Sequence, residues 1–88
     1  MFVVSLTYIR PLAEVDALLE QHRSFLERMY DAGVFLLSGR REPRTGGVIL
    51  AQASSSAELS RLLAEDPFAI HDVASYEIME FLPTMSAE

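Results

Sequence analysis

Cysteine and lysine are both missing from this chain of 88 residues. Without cysteine there is no disulfide staple, no thiolate nucleophile and no Cys-ligated zinc or iron–sulfur site. Without lysine, Schiff-base chemistry and a P-loop lysine are excluded. Long hydrophobic runs are also missing: nothing approaches the roughly 20 apolar residues that span a bilayer. The N-terminal apolar run is cut by Ser5 and Thr7 and follows no basic segment, so it does not read as a signal peptide. A soluble cytoplasmic protein without a membrane partner is expected. Positive charge is scarce. Net charge is −6 and all seven basic residues are arginine, which leaves no broad basic face for nucleic acid. One loop, "GRREPR", gathers Arg40, Arg41 and Arg44. It reads as a solvated turn, with anion binding as the competing role.

What remains is an apolar chain, 50% hydrophobic. It suits one small domain with a modest core, whose stability oligomerisation would supplement. "FVVSLTYI" (2–9) is strand-like and breaks at Arg10-Pro11. From Leu12 to about Ala32, apolar residues recur at helical spacing, and Gly33 stands where a C-cap glycine would. "VFLLSG" (34–39) and "GVILAQA" (47–53) read as a hairpin joined by "REPRTGG". Ser55 with Glu58 makes a capping box, and Pro67 stops the second helix near Asp66. "ASYEIMEFL" (74–82) is a last strand, giving a domain over 1–83 and a polar tail over 84–88.

The order strand, helix, strand, strand, helix, strand predicts an α+β, ferredoxin-like βαββαβ fold: a four-stranded antiparallel sheet with both helices on one face. Neither strand face is cleanly polar. Phe2, Val4, Leu6 and Tyr8 oppose Val3, Ser5, Thr7 and Ile9, and Val34 and Leu36 oppose Phe35 and Leu37. Something apolar is expected on the free face, and a second copy of the chain would bury it.

Two polar residues sit on apolar helix stripes. His22 lies seven residues after Val15 and seven before Met29; Asp66 lies seven after Leu59. With both helices on one side of the sheet, the two would face a common pocket. A carboxylate out of water needs a partner, and an imidazole oriented by one can shuttle a proton. Against this, Asp-Pro is a common helix end whose side chain bonds the turn beyond, and a lone histidine on an apolar face is often structural. Ser38 is a nearby hydroxyl without a sign of activation. His71 and Asp72 read as solvated loop residues. His22, His71 and the carboxylates have no zinc-like spacing, so no metal site is expected.

The N-terminal "FVV" strand, "HRSFLERMYDAGVFLLSG", "TGGVILA", "LLAEDPF" and "YEIMEFLP" together resemble the YCII-related (YciI-like) family across roughly residues 2 to 83. That resemblance implies a ferredoxin-like domain that dimerises into an α+β barrel. It carries the family's histidine–aspartate pair onto His22 and Asp66, with Ser38 and Gly39 lining the pocket and Phe68 as an apolar wall. Arg40 stands after the glycine, at the substrate end, where many relatives have proline. No cofactor is implied. One kind of member is similar to a dehydrochlorinase acting on a chlorinated hydroxyquinol, and related barrels include muconolactone isomerases and cofactor-free monooxygenases. The expected function is a homodimeric, cofactor-independent enzyme using His22 and Asp66 for proton abstraction, elimination or isomerisation on a small cyclic or aromatic metabolite. Arg40 or Arg41 would hold an anionic substituent. The competing expectation is a non-catalytic dimeric domain for ligand binding or assembly.

Overall fold

Alternation of branched and aromatic residues along Phe2–Tyr8 makes β1, which buries Phe2, Val4 and Leu6 on one face. The computed structural model describes residues 1–87, so Glu88, the last residue of the expected tail, lies outside the described residues. After Pro11 come α1 (Leu12–Asp16) and α2 (Leu19–Asp31). The single helix expected over this stretch is therefore two. Leu18, at φ −108° and ψ 0°, stands between them as the N-cap of α2, and its N–H bonds the Val15 carbonyl three residues back, a tighter turn than the α-helical one. Apolar spacing alone could not reveal the break, because residues on both sides of it still reach the core: Val15 before, Phe25 and Met29 after.

Gly33 ends α2 with φ +74°. Its N–H and that of Val34 bond back to Tyr30 and Met29, satisfying carbonyls the helix leaves open. The hairpin follows as β2 (Phe35–Arg40) and β3 (Gly46–Ala51), then α3 (Ser56–Leu63), α4 (Pro67–Ile70) and β4 (Ala74–Glu80). The sheet order is β2-β3-β1-β4, every neighbouring pair antiparallel, as the ferredoxin-like expectation requires. The expected alternation of β2 fails at one place. A bulge at Leu36 separates the pairs Phe35↔Ala51 and Leu37↔Leu50, so Phe35 enters the core and Leu37 faces the other side.

Ser55 caps α3 by accepting from the Glu58 N–H at 3.1 Å, but the capping box is only half made, because the Glu58 carboxylate turns to Arg61. The segment after Asp66, expected as loop, forms α4, with Pro67 at its first position. Its end leaves His71 and Asp72 exposed, as expected. The core lies between helices and sheet, where Val4, Val15, Phe25, Ala51 and Leu59 are fully buried. The other sheet face is uncovered in the single chain and presents Leu37, Val48 and Met79 to solvent. Among the described residues, no helix is long and apolar enough to cross a membrane.

Candidate functional site

Among the described residues, Asp66 is the one charged residue in the core, with no exposed surface. It occupies the junction of α3 and α4, where the chain leaves one helix and enters the next. As N-cap of α4 it accepts from the Phe68 N–H at 3.0 Å through Oδ1. The same oxygen lies 2.8 Å from His22 Nδ1, and Oδ2 accepts from the Tyr76 hydroxyl at 2.6 Å. The two readings of Asp66, helix end and partner of His22, are thus both true of one carboxylate. A carboxylate only accepts, so the ring proton belongs on Nδ1 and Nε2 is the nitrogen left for a ligand.

His22 is placed by α2 and pinned from three sides. Its ring stacks on Phe68 at 3.9 Å between centroids and 4° between planes, with Phe25 6.5 Å away. Phe68 is itself buried and meets Tyr8 edge-on. Tyr76 projects from β4 on the helix-facing side, level with Leu6 of β1. Burial first, then the charge and hydrogen bond of Asp66, push its hydroxyl far above the ordinary tyrosine range, so it remains a donor.

Beside His22 opens a cavity of about 730 Å³, between α1–α2 and the β2–β3 hairpin. That volume lies within the range of small-molecule pockets. Its floor includes Leu6 and Ile49. Gly47, paired with Leu6 and Arg40, contributes no side chain between them. Its neighbour Gly46 is obligatory for another reason: a Cβ there would lie 1.8 Å from the Leu6 carbonyl oxygen.

Ser38, Gly39, Arg40 and Phe68 all line this cavity with His22. The Ser38 hydroxyl bonds the Tyr30 hydroxyl at 2.6 Å, and Arg40 pairs with Glu42 at 3.0 Å. Arg41 does not join them. Its guanidinium crosses to the other sheet face and donates to Ser5 (2.6 Å) and Thr7 (3.0 Å), because neighbouring strand residues point to opposite sides. Arg44 does line the cavity, held by Asp16 with its guanidinium 5.8 Å from the Tyr8 ring centre. Arg23 and Tyr76 belong to the neighbourhood but left no signal in the sequence. By its spacing Arg23 is one more charge on the polar face of its helix, and Tyr76 is one aromatic in an alternating strand. Among the described residues, no group of three or more His, Asp or Glu side chains could hold a metal ion.

The YCII-related domain family model matches residues 1–82. No curated protein matches the chain. Among solved structures, a 5-chloro-2-hydroxyhydroquinone dehydrochlorinase (TftG) from Burkholderia phenoliruptrix AC1100, in complex with 2,5-dihydroxybenzoquinone, is similar in fold. Its TM-score is 0.77 at 17% identity, covering 93% of this chain and 94% of that one.

Proposed function

This chain belongs to the YCII-related domain family, and on that premise we propose that it is a homodimeric, cofactor-independent enzyme acting on a small cyclic or aromatic metabolite. His22 is the general acid or base, working through Nε2 on a ligand in the adjoining cavity. Asp66 is its positioning residue. It fixes the ring's tautomer and stabilises the imidazolium formed when the ring takes a proton, as carboxylate–imidazole pairs do elsewhere. Ser38, Gly39, Arg40 and Phe68 shape the substrate side. The reaction class is proton abstraction followed by elimination or isomerisation. Ser38 already bonds Tyr30, which disfavours it as an activated nucleophile. The fold alone would not carry this reading, since one fold hosts many chemistries. What carries it is the 2.8 Å contact between His22 and a fully buried carboxylate at the wall of an open cavity.

The structural relative acts on a chlorinated hydroxyhydroquinone, which makes that compound the first substrate to try, with hydroxyquinones and ring lactones beside it. Chloride release and ultraviolet absorbance report turnover. His22→Ala and Asp66→Asn are each expected to lower it by about 10²–10⁴-fold. Turnover indifferent to His22 overturns the assignment. Binding without turnover moves the protein to the ligand-binding alternative.

A further inference from the structure

The chain carries a net charge of −6, yet its cavity is lined by Arg23, Arg40 and Arg44, three of its seven basic residues, with Asp16 as the one acidic lining residue among those described. The three arrive from different elements: Arg23 from α2, Arg40 from the end of β2 and Arg44 from the hairpin loop. Two are already paired, Arg40 with Glu42 and Arg44 with Asp16. Arg23 has no ion-pair partner among the described residues. Around these charges the lining is apolar, with Leu19, Leu26, Ile49 and Phe68. A cavity with a greasy body and a guanidinium rim has the chemistry to receive a flat ring bearing an anionic group. Guanidinium forks match the planar carboxylate in particular, because two parallel N–H donors meet its two oxygens.

We propose that the natural ligand of this cavity is a ring carboxylate, its charge held between Arg23 and Arg44 while its ring lies against the apolar lining beside His22. This rests on the reading of the same cavity given above and names the substrate class. Asp16 has two effects on such a ligand. It holds Arg44 in place against α1, and its own charge opposes the incoming anion. In a chain this acidic, a locally positive rim is also what lets an anion approach at all.

The test uses a matched pair of probes, 2,5-dihydroxybenzoate and its neutral amide, titrated into the full-length protein and followed by NMR shifts of the cavity residues. The carboxylate is expected to bind at least ten-fold tighter than the amide, and its advantage to shrink as salt rises. Arg23→Gln, at an exposed position, is expected to remove most of that advantage and leave amide binding unchanged. Asp16→Asn keeps an oxygen for Arg44 while deleting the charge, and is expected to tighten carboxylate binding several-fold, a gain that misfolding cannot produce. Equal binding of the two probes, or a preference untouched by both substitutions, overturns the proposal. His22→Ala separates the two readings. A carboxylate preference that survives in it supports the proposal whether or not turnover depends on His22, whereas loss of His22-dependent turnover bears on the catalytic reading alone.

Discussion

Each oxygen of the Asp66 carboxylate is engaged, Oδ1 with the Phe68 N–H and the His22 ring, Oδ2 with the Tyr76 hydroxyl. That density of donors is how a carboxylate survives without exposed surface. Tyr76 is the member whose contribution can be read through pH. Burial, reinforced by Asp66, raises its hydroxyl above the ordinary value of 10.0. Above that pH the unfolded chain gives up the phenolic proton while the folded chain keeps it. The native state then binds more protons, so stability falls as pH rises. The tyrosine's contribution is therefore complete below about pH 10 and erodes upward from there. Tyr76→Phe should cost on the order of 1–3 kcal/mol at neutral pH, because a buried charge loses a donor. The gap between variant and wild type should narrow by pH 11. Urea unfolding at pH 8 and pH 11 measures both, and a gap constant across that range would contradict the account. Of this network, the sequence made His22 and Asp66 legible because each interrupts an apolar stripe. Tyr76 interrupts nothing: it sits on the helix-facing side of a strand, where an aromatic is ordinary.

Helices α3 and α4 together deliver Asp66, and the cap that starts α3 sets the frame. Ser55 accepts from the Glu58 N–H without a reciprocal bond from the glutamate, which is occupied with Arg61. Ser55→Ala should therefore cost about 1 kcal/mol, and Ser55→Gly only a few tenths. Urea midpoints with unchanged slopes read the difference; an alanine variant as stable as wild type would show that the cap adds nothing. The start of α3 was legible because Ser and Glu at that spacing have one mechanical meaning. The break at Leu18 and the short α4 were not. Apolar spacing records which residues turn inward, and both irregularities leave those residues inward. The bulge at Leu36 escaped for the opposite reason: strict alternation assigns its neighbours to faces that one inserted residue exchanges.

For the molecule as a whole, the uncovered sheet face is the feature that matters most. Leu37 is 59% exposed and Met79 61%, with Val48 at 40%, an apolar surface that a second sheet would cover. Light scattering at micromolar concentration should report about twice the chain mass, in keeping with the proposed homodimer. Met79→Glu, which sets a charge on that face, should shift the mass toward the monomer. A wild-type chain that stays monomeric would remove this part of the proposal.

By itself the sequence determined the order of the strands and of the two helical segments between them, the antiparallel ferredoxin-like sheet and the two polar residues that depart from their stripes. It could do so because periodicity, caps and turn residues are local properties, written within a few positions of where they act. Only the tertiary structure decided what those residues meet. His22 and Asp66 are separated by 44 positions, and no local pattern encodes a 2.8 Å approach across that span. The fate of the arginines was decided the same way: sequence grouped Arg40, Arg41 and Arg44 in one loop, while the pleat sent Arg41 to the far face and the packing of α2 over the sheet brought Arg23 to the cavity beside Arg40 and Arg44. Side-chain direction follows from how strands and helices pack, and packing is a property of the whole chain.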